Sequence, residues 1–468
     1  MIWRSWRQRL FQRYMRWRLF GFARVLFWGD KFEQRFTFLG RWLFAAILLT
    51  LIFGANLKQS NIHQLFAVLL AMICSALLTI WLRSFFNKKK FELKRKLPAF
   101  AQVGKSCVYS IQVQNMSGKV LLGLRLNERF APVSPNVVQF LLMREPNEEK
   151  RNWYDRNTGF HRFVWLQEWL SGGVIKPVKL DMLEAKARKQ VEISWLPKKR
   201  GRLYFSKLRI AVPDYLGLVC GFEVHDLPQS LLVLPKIYTV PIGLIKQGNQ
   251  KDQQHGLSIA ADVGDSEAFH RMREYRVGDS PRHIHWASLA RGEKPLVKEF
   301  EDEFFTRQTL ILDNIADAKQ SLIFEEAVSV AAGFADAMQK ESGILDFIFA
   351  APEQKKSMAQ ISTSADHGQS LRVLETLAML SLSEKTMFDS FSLSVLQKAE
   401  GMQSCVYITI VWDKKRQALI EALKQRMNQV SVYLVTDGLS KETFPNTPGF
   451  HVLNLGHIEQ NLVECSHD

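Results

Sequence analysis

Two uninterrupted apolar runs near the N-terminus dominate the hydrophobic pattern of the chain. Residues 42–57 and 62–82 carry no formal charge, and the second is long enough to cross about 30 Å of hydrocarbon as a helix. The first run is short and recruits residues 39–41, where Arg41 can snorkel toward the headgroups. Neither run has the polar face that a helix of a soluble domain needs. The pattern predicts a transmembrane hairpin over residues 39–82 rather than a cleaved signal peptide, since the basic leader is too long for one.

Residues 1–38 interleave arginine with tryptophan, phenylalanine and leucine. Helical spacing gathers much of the apolar set on one side, as in a helix that lies at the headgroup level. The alternative is a disordered basic tail, although such tails are usually poor in aromatic residues. We therefore expect a basic, aromatic helix on the membrane surface.

Positive charge flanks the predicted hairpin on both sides. Residues 1–41 hold ten Lys and Arg, residues 83–96 hold seven, and the link between the two runs offers only Lys58. Cytoplasmic flanks carry an excess of positive charge. This distribution predicts that the N-terminus and everything after the hairpin lie in the cytoplasm.

The period of the pattern changes to two between residues 97 and 237, which predicts a β-sandwich-like domain. Residues 144–180 interrupt this pattern with charges and an aromatic run. We treat this stretch as an insertion. Its Trp153, Trp165 and Trp169 either face the membrane or pack against the sandwich.

Strands and helices alternate from residue 309 to residue 468. We predict strands at 309–314, 344–350, 405–412 and 430–436, with helices at 322–340, 368–381 and 414–428. Alternation of this kind is typical of a doubly wound α/β domain, whose ligands bind at the carboxyl ends of the strands. Residues 238–308, between this domain and the sandwich, contain a linker and a distinctive motif.

The net charge of +16 does not indicate nucleic-acid binding. Residues 1–96 hold 18 basic and three acidic residues, whereas the rest of the chain holds 44 basic and 43 acidic residues. Phosphate binding needs a concentrated basic face, and the balanced soluble part lacks that excess. Five scattered cysteines fit neither a zinc pattern nor a disulfide framework, so we expect them to be reduced.

The distinctive motif is "FHRMREYRVGDSPRHIHWASLARGEKPLVKEFEDE". A Gly-Asp turn and several arginines suit the docking of a partner or the binding of an anion. The candidate residues are Arg273, Tyr275, Gly278, Asp279, Arg282, His285, Trp286 and Arg291. The alternative is that an internal ion pair and a buried tryptophan join the two domains. His283 and His285 share a strand face, but no third metal ligand accompanies them.

The motif resembles the signature of the domain of unknown function 58 family. The matching residues are Arg273, Tyr275, Gly278, Asp279, Arg282, Ile284, Trp286, Ala290 and Arg291. Val277 replaces the usual proline, and "DYLGL" replaces the usual "DPFGL" turn. The resemblance implies a protein of the bacterial inner membrane with a von Willebrand factor A-like domain, working with a MoxR-type AAA+ ATPase.

That resemblance raises the question of a metal-ion-dependent adhesion site, which has the pattern D-x-S-x-S. Here the corresponding run is "DNIAD", so both serines are missing. Asp313, Asp317 and Asp413 could still gather Mg²⁺ in another way, because hard cations prefer oxygen ligands. Carboxylates that cap helix N-termini are the commoner explanation. We expect no other cofactor.

Two functions remain open from the sequence. In the first, the protein is a non-enzymatic, membrane-anchored adaptor whose partners are the lipid bilayer and a MoxR-type ATPase. In the second, it is a membrane-bound metal-dependent hydrolase that uses Asp279, His285 and nearby carboxylates. No small-molecule substrate is evident for either function.

Overall fold

The computed structural model gives the backbone and side chains of most of the chain. The described residues are 2–53, 60–86, 90–131, 133–146, 148–241, 243–246, 269–276, 281, 284–291, 295–300, 307–317, 320–342, 344–351, 359–363, 370–399, 402, 404–427, 429–438, 445 and 447–465. They fall into two compact units. One comprises Met1–Ile237, Asp317–Ala332 and Leu374–Leu382, and the other comprises Tyr238–Ala316, Gly333–Val373 and Ser383–Asp468.

Three helices begin the first unit: α1 (Ile2–Arg35), α2 (Phe38–Phe53) and α3 (Ser60–Phe86). Within the described residues, α3 is the helix long and apolar enough to cross a membrane, over His63–Leu82. Only 11% of that apolar stretch is buried, whereas a core helix of a soluble domain would be mostly buried. The apolar part of α2, Phe38–Ile52, is shorter than the roughly 20 residues of an ordinary span.

Helix α1 presents apolar side chains on two sides. Its buried side packs against two helices of the insertion described below and consists of Met15, Leu19, Phe22 and Leu26. At 100° per residue, a second set lies on the far side of the helix. These exposed residues, which we call the exposed stripe, are Leu10, Tyr14, Trp17 and Trp28. Arg13, Arg24 and Lys31 lie beside the stripe.

The β region forms two sheets around one core. Strands β1 (Phe91–Lys96), β3 (Cys107–Asn115) and β6 (Arg188–Trp195) make the smaller sheet in the order β1-β3-β6. The larger sheet has the order β2-β8-β7-β4-β5 and contains β2 (Phe100–Gln102), β4 (Leu121–Phe130), β5 (Val178–Leu183), β7 (Gly201–Pro213) and β8 (Cys220–Leu234). Side chains of both sheets, such as Ile111 and Leu208, share the core. The region therefore has the predicted sandwich-like architecture.

The first strand begins at Phe91, six residues before the predicted start of the domain. Its side chains alternate between buried and exposed positions, with Phe91, Leu93 and Arg95 directed inward. The three outward positions hold Glu92, Lys94 and Lys96, so the sequence by itself indicates a basic flank of the membrane span rather than a strand. A buried arginine in an otherwise amphipathic strand concealed the period of two.

Arg95 forms a charged network inside the sandwich. The side chains of Arg95 and Glu128 are paired and have no exposed surface. Tyr109 donates its hydroxyl hydrogen to Glu128, and Arg95 donates to the Leu227 carbonyl oxygen at 2.8 Å. Burial raises the pKa of the Glu128 carboxyl, and the opposing effects of Arg95 and Tyr109 do not cancel that shift.

The insertion between β4 and β5 is helical and starts earlier than residue 144. It contains α4 (Val137–Leu142), a 3₁₀ turn (Glu148–Lys150), α5 (Trp153–Thr158) and α6 (Phe160–Leu170), and β5 already begins at Val178. Phe140 of α4 and Phe163 of α6 are buried in a cluster with the buried side of α1. Arg18 of α1 donates to the Asn157 carbonyl oxygen at 2.6 Å. The insertion thus packs on α1, while Trp153 remains 72% exposed.

The second unit contains a two-stranded antiparallel sheet and a mixed six-stranded sheet. The first consists of β9 (Phe269–Glu274) and β10 (Leu296–Phe300), with the short helix α8 (Trp286–Leu289) between them in sequence. The second has the order β13-β12-β11-β14-β15-β16, and β13 is the antiparallel edge. Its strands are β11 (Arg307–Leu312), β12 (Ile344–Phe349), β13 (Ala359–Thr363), β14 (Ser404–Thr409), β15 (Gln429–Thr436) and β16 (Phe450–Asn454).

Helices cover both faces of the six-stranded sheet. The helices of this region are α7 (Gly243–Lys246), α9 (Ser321–Ser342), α10 (Ser370–Met379), α11 (Phe388–Lys398), α12 (Lys414–Arg426) and α13 (Ile458–Glu464). Val432 shares a core with Phe391 of α11 and Leu423 of α12. The next residue, Tyr433, points to the opposite face, where its ring lies 4.7 Å from that of Phe334 in α9. The sheet is therefore doubly wound.

Candidate functional site

The carboxylate of Asp313 lies at the carboxyl end of β11, where the sequence placed a candidate ligand site. The residue is fully buried. Its Oδ2 accepts hydrogen bonds from the Tyr407 hydroxyl at 3.1 Å and the Thr409 hydroxyl at 3.2 Å. Its Oδ1 accepts from the backbone N–H of Ile315 at 3.0 Å. The central β11–β14 pair brings these groups together because Asp313 directly follows β11 and Tyr407 lies in β14.

A guanidinium group sits between two of the predicted metal ligands. Nε of Arg416 donates to Asp313 at 2.6 Å, and its NH1 donates to Asp413 at 2.8 Å. The remaining terminal nitrogen donates to the Ile315 carbonyl oxygen at 2.6 Å. Arg416 is only 3% exposed. The structure thus brings Asp313 and Asp413 together, and an arginine of the chain supplies the positive charge between them.

The pKa values of this cluster follow from burial and charge. Burial lowers the pKa of Arg416, but the carboxylate of Asp313 and its hydrogen bond outweigh that effect, so the net shift is upward. Burial and the neighbouring Asp313 charge both raise the pKa of Tyr407 well above its usual value. The arginine therefore stays charged and the tyrosine stays neutral, which suits an internal ion pair better than proton transfer.

Asp413 and Asp317, the other two predicted metal ligands, are less buried than Asp313. Asp413 caps the N-terminus of α12, where its carboxylate accepts from the backbone N–H of Arg416 at 2.9 Å. Asp317 is exposed. Among the described residues, no group of three or more His, Cys, Asp or Glu side chains is placed to hold a metal ion.

The backbone of the distinctive motif folds into one small structure, which we call the signature hairpin: β9, residues 284–291 and β10. Val297 of β10 pairs with Arg273 on one side and with Ile284 on the other. The N–H of Tyr275 donates to the Pro295 carbonyl oxygen at 2.9 Å, and that of His285 donates to Leu296 at 2.8 Å. The predicted residues that precede and follow Gly278 and Asp279 in the sequence are therefore neighbours.

Several side chains of the signature hairpin are directed outward. Trp286 is 59% exposed and Tyr275 is 38% exposed. Arg291 is exposed, and Arg273 is partly buried. Gly278, Asp279, Arg282 and His283 lie outside the described residues. The described part thus offers aromatic and cationic groups on one short structural element.

His285 contacts a serine, but the arrangement does not favour a nucleophile. Its Nδ1 lies 3.1 Å from the Ser288 hydroxyl oxygen. That hydroxyl donates to the backbone carbonyl of His285 at 2.9 Å. Ser288 is only 5% exposed. A nucleophilic serine would need an accessible oxygen and a base to accept its proton. Here the Ser288 hydroxyl is buried and donates its hydrogen to the His285 carbonyl oxygen.

An apolar groove of about 740 Å³ lies between α1 and α4. Leu19 and Phe20 of α1 line it together with Val138 and Leu141 of α4. Among the described residues that line the groove, Arg16 is the charged one. Such a surface suits an apolar chain rather than a polar reactant.

Arg416 is the main residue of the site that the sequence analysis missed. It lies 103 positions from Asp313 in the sequence. A local signal existed, because Lys414, Lys415 and Arg416 all occupy the first turn of α12. The positive end of a helix dipole disfavours cations there, so an arginine at this position needs a carboxylate partner.

The chain is similar to an uncharacterized bacterial protein over part of its length. No family model matches this chain. Over 143 residues it is 28% identical to the uncharacterized protein YeaD of Bacillus subtilis (strain 168). The match covers 30% of this chain and 34% of that protein, so the chain spans about a third of the length of this curated relative.

Two solved domains show a local likeness. The PapD-like domain 7 of human CEP192 is 16% identical, with 32% of this chain and 88% of that domain covered and a TM-score of 0.18. The CARDB domain of the PF1109 protein from Pyrococcus furiosus is 15% identical, with coverages of 31% and 97% and a TM-score of 0.17. Scores this low carry no argument about fold or function.

Proposed function

We propose that the protein is a membrane-anchored, non-enzymatic adaptor that docks a protein partner through the signature hairpin. The observation that carries this proposal is the exposure of Trp286 and Tyr275 beside Arg291 on that element. Tryptophan, tyrosine and arginine are the residues most enriched among interface hot spots. The Asp313 carboxylate at the strand ends is, by contrast, already satisfied by Arg416 and three other donors.

The anchor in this proposal is a hairpin of α2 and α3 in the bacterial inner membrane. The exposure and length of α3 support a span. The basic flanks in residues 1–41 and 83–96 support a cytoplasmic position for the N-terminus, for the β sandwich and for the second unit.

Helix α1 contributes a second membrane contact in the proposal. Its exposed stripe lies opposite the side that packs on the insertion, with arginine and lysine beside it. Aromatic residues flanked by cations are typical of helices that lie in the plane of a bilayer surface. This arrangement supports a surface helix rather than a disordered tail.

The partner in the proposal is a MoxR-type AAA+ ATPase, as the family resemblance implies. The same resemblance leads us to propose that the second unit is von Willebrand factor A-like. The doubly wound strand order and the antiparallel edge strand support that class of fold. Cationic and aromatic side chains on the signature hairpin suit an acidic surface with apolar pockets on the ATPase.

Removing one exposed tryptophan tests the docking surface. We expect Trp286→Ala to lower the recovery of a cross-linked AAA+ ATPase from native membranes, because loss of a hot-spot side chain weakens binding by about 2 kcal/mol or more. Because Trp286 is 59% exposed, we expect the substitution to change the stability of the folded protein little. Trp153→Ala is the matched control, since Trp153 is 72% exposed and lies in the insertion. Equal recovery of the ATPase with wild type and both variants would contradict the docking role.

Cysteine labelling tests the topology of the anchor. In a chain with Cys74→Ala, we expect a hydrophilic maleimide to label Lys58→Cys in intact cells with a permeabilised outer membrane, and Lys105→Cys only after lysis. The remaining thiols give little background. Burial raises the pKa of Cys107 and of Cys220, and it raises that of Cys405 to about 12. The opposite labelling pattern would place the soluble units outside the cytoplasm.

A further inference from the structure

The turn between β7 and β8, residues 214–218, is a rigid projection that we call the β7–β8 tip. Oδ1 of Asp214 accepts from the backbone N–H groups of Leu218 at 2.7 Å and Val219 at 3.0 Å. Gly217 has a φ of +67° and donates to the Asp214 carbonyl oxygen at 3.1 Å. These bonds fix the backbone of the tip, so its outermost side chains have a defined direction.

The tip is attached directly to the start of α2. The N–H of Thr37 donates to the Leu218 carbonyl oxygen at 3.0 Å, and the Thr37 hydroxyl donates to the same oxygen at 3.1 Å. Gly40 approaches so closely that a Cβ on it would lie 2.0 Å from that oxygen. The sandwich is therefore held against α2 by specific backbone contacts rather than by a flexible linker.

The C-terminal part of α3 reaches the same place. Ala76 of α3 is buried with Leu218 and Val219, and Ile80 packs against them. A Cβ on Gly221 would lie 3.2 Å from the Ile80 side chain. Both proposed membrane helices thus meet the β7–β8 tip where the α2–α3 hairpin begins and ends.

Large apolar side chains around this meeting point are exposed. Tyr215 at the tip is 81% exposed, and Leu216 is 53% exposed. Nearby in the sequence of the two helices, Phe38 is 70% exposed, Trp42 is 65% exposed and Trp81 is 62% exposed. Trp42 follows Gly40 by two residues, or about 3 Å of helix rise. Trp42 and Trp81 therefore lie within one helical turn of Gly40 and Ile80, the residues that approach the tip and the start of β8.

We propose that the β7–β8 tip inserts Tyr215 and Leu216 into the headgroup region of the bilayer that holds α2 and α3. Tyrosine and tryptophan are enriched at this depth because their rings are apolar at one end and polar at the other. Leu216 gains by leaving water. The inference rests on the proposed membrane anchoring, and it makes the sandwich a domain seated on the lipid rather than tethered above it.

Depth-dependent fluorescence quenching tests this inference on the full-length protein. A chain with Cys74→Ala receives one cysteine, labelled with the environment-sensitive fluorophore NBD, at Leu216, Lys105 or Leu70. Lys105 is exposed and lies near the opposite end of the β7–β8 hairpin, roughly 40 Å away for twelve strand steps. Leu70 is 41% exposed within α3. The protein is reconstituted in phosphatidylethanolamine–phosphatidylglycerol vesicles that contain lipids spin-labelled at the headgroup or deep in the acyl chain.

We expect NBD at Leu216 to lose fluorescence to headgroup-labelled lipid and to be shielded from aqueous iodide. NBD at Leu70 is expected to be quenched by the deep label, and NBD at Lys105 by iodide alone. A probe at Tyr215→Cys should repeat the result for Leu216, which guards against a local effect of one substitution. Quenching at Leu70 with iodide-accessible probes at both tip positions would overturn the inference while leaving the anchor intact. Absence of lipid quenching at Leu70 would instead overturn the proposed anchor, and the inference with it.

Discussion

Replacing Arg416 with methionine should destabilise the six-stranded sheet by about 3–5 kcal/mol, because removal of one partner leaves a buried charge uncompensated. Asp313 has no exposed surface and would keep two hydroxyl donors and one backbone N–H, but no positive charge. Hydrogen exchange measured by mass spectrometry over β11 and β14 reports this local loss in the full-length protein. We expect exchange there to accelerate roughly a hundredfold or more, at 1.4 kcal/mol per tenfold change.

Two further variants separate the charge effect from the loss of a side chain. Lys415→Met removes the adjacent cation, whose pair with Asp389 is largely exposed, so it should cost no more than about 1 kcal/mol. Adding Asp313→Asn to Arg416→Met removes the unpaired charge and should recover much of the stability. If hydrogen exchange over β11 and β14 is no faster in Arg416→Met than in Lys415→Met, the Arg416 guanidinium does not stabilise the ends of these strands.

Arg95→Met should have a similar effect in the sandwich, again about 3–5 kcal/mol. The carboxylate of Glu128 would remain in the core, where the Tyr109 hydroxyl donates a hydrogen bond to it. Lys94→Met is the matched control on the same strand, because its pair with Glu92 is exposed and is worth at most about 1 kcal/mol. Hydrogen exchange over β1, β3 and β4 measures the difference.

The loss of stability in the Arg95→Met variant should also depend on pH. Burial already raises the pKa of Glu128 in the folded protein, and Arg95 opposes that shift. Without Arg95 the folded carboxyl binds its proton still more tightly than the unfolded one. A group of this kind stabilises the fold at low pH and loses that contribution as the pH rises through its folded pKa. We therefore expect the variant to lie closer to wild type at pH 5 than at pH 8, and a loss independent of pH would contradict this account.

The sequence predicted the alternating region well where the hydrophobic pattern was strong. The stretches at β11, β12, β14, β15, α9, α10 and α12 correspond to predicted elements. Strands β13 and β16 and helices α11 and α13 were not predicted. They have mixed polarity: α11, for example, reads "FDSFSLSVLQK". Their conformation depends on packing against the sheet more than on local pattern.

The candidate site was predicted only in part, for a different reason. The position of Asp313 at the end of a strand follows from the pattern and from the geometry of α/β sheets. The identity of its partner depends on tertiary structure, since strand β14 and helix α12 bring Tyr407 and Arg416 to it from far along the chain. Local spacing could show the missing serines of an adhesion site but could not show that Arg416 lies between Asp313 and Asp413.

The guanidinium between Asp313 and Asp413 also bears on how this domain can be controlled. A bound ion can be removed by a chelator or lost when its concentration falls, so sites built on ions respond to their surroundings. An arginine on a neighbouring helix is covalently part of the chain and is present at a fixed effective concentration whenever the domain is folded. The carboxylates of Asp313 and Asp413 are therefore joined by a positive charge that is put in place when the domain folds.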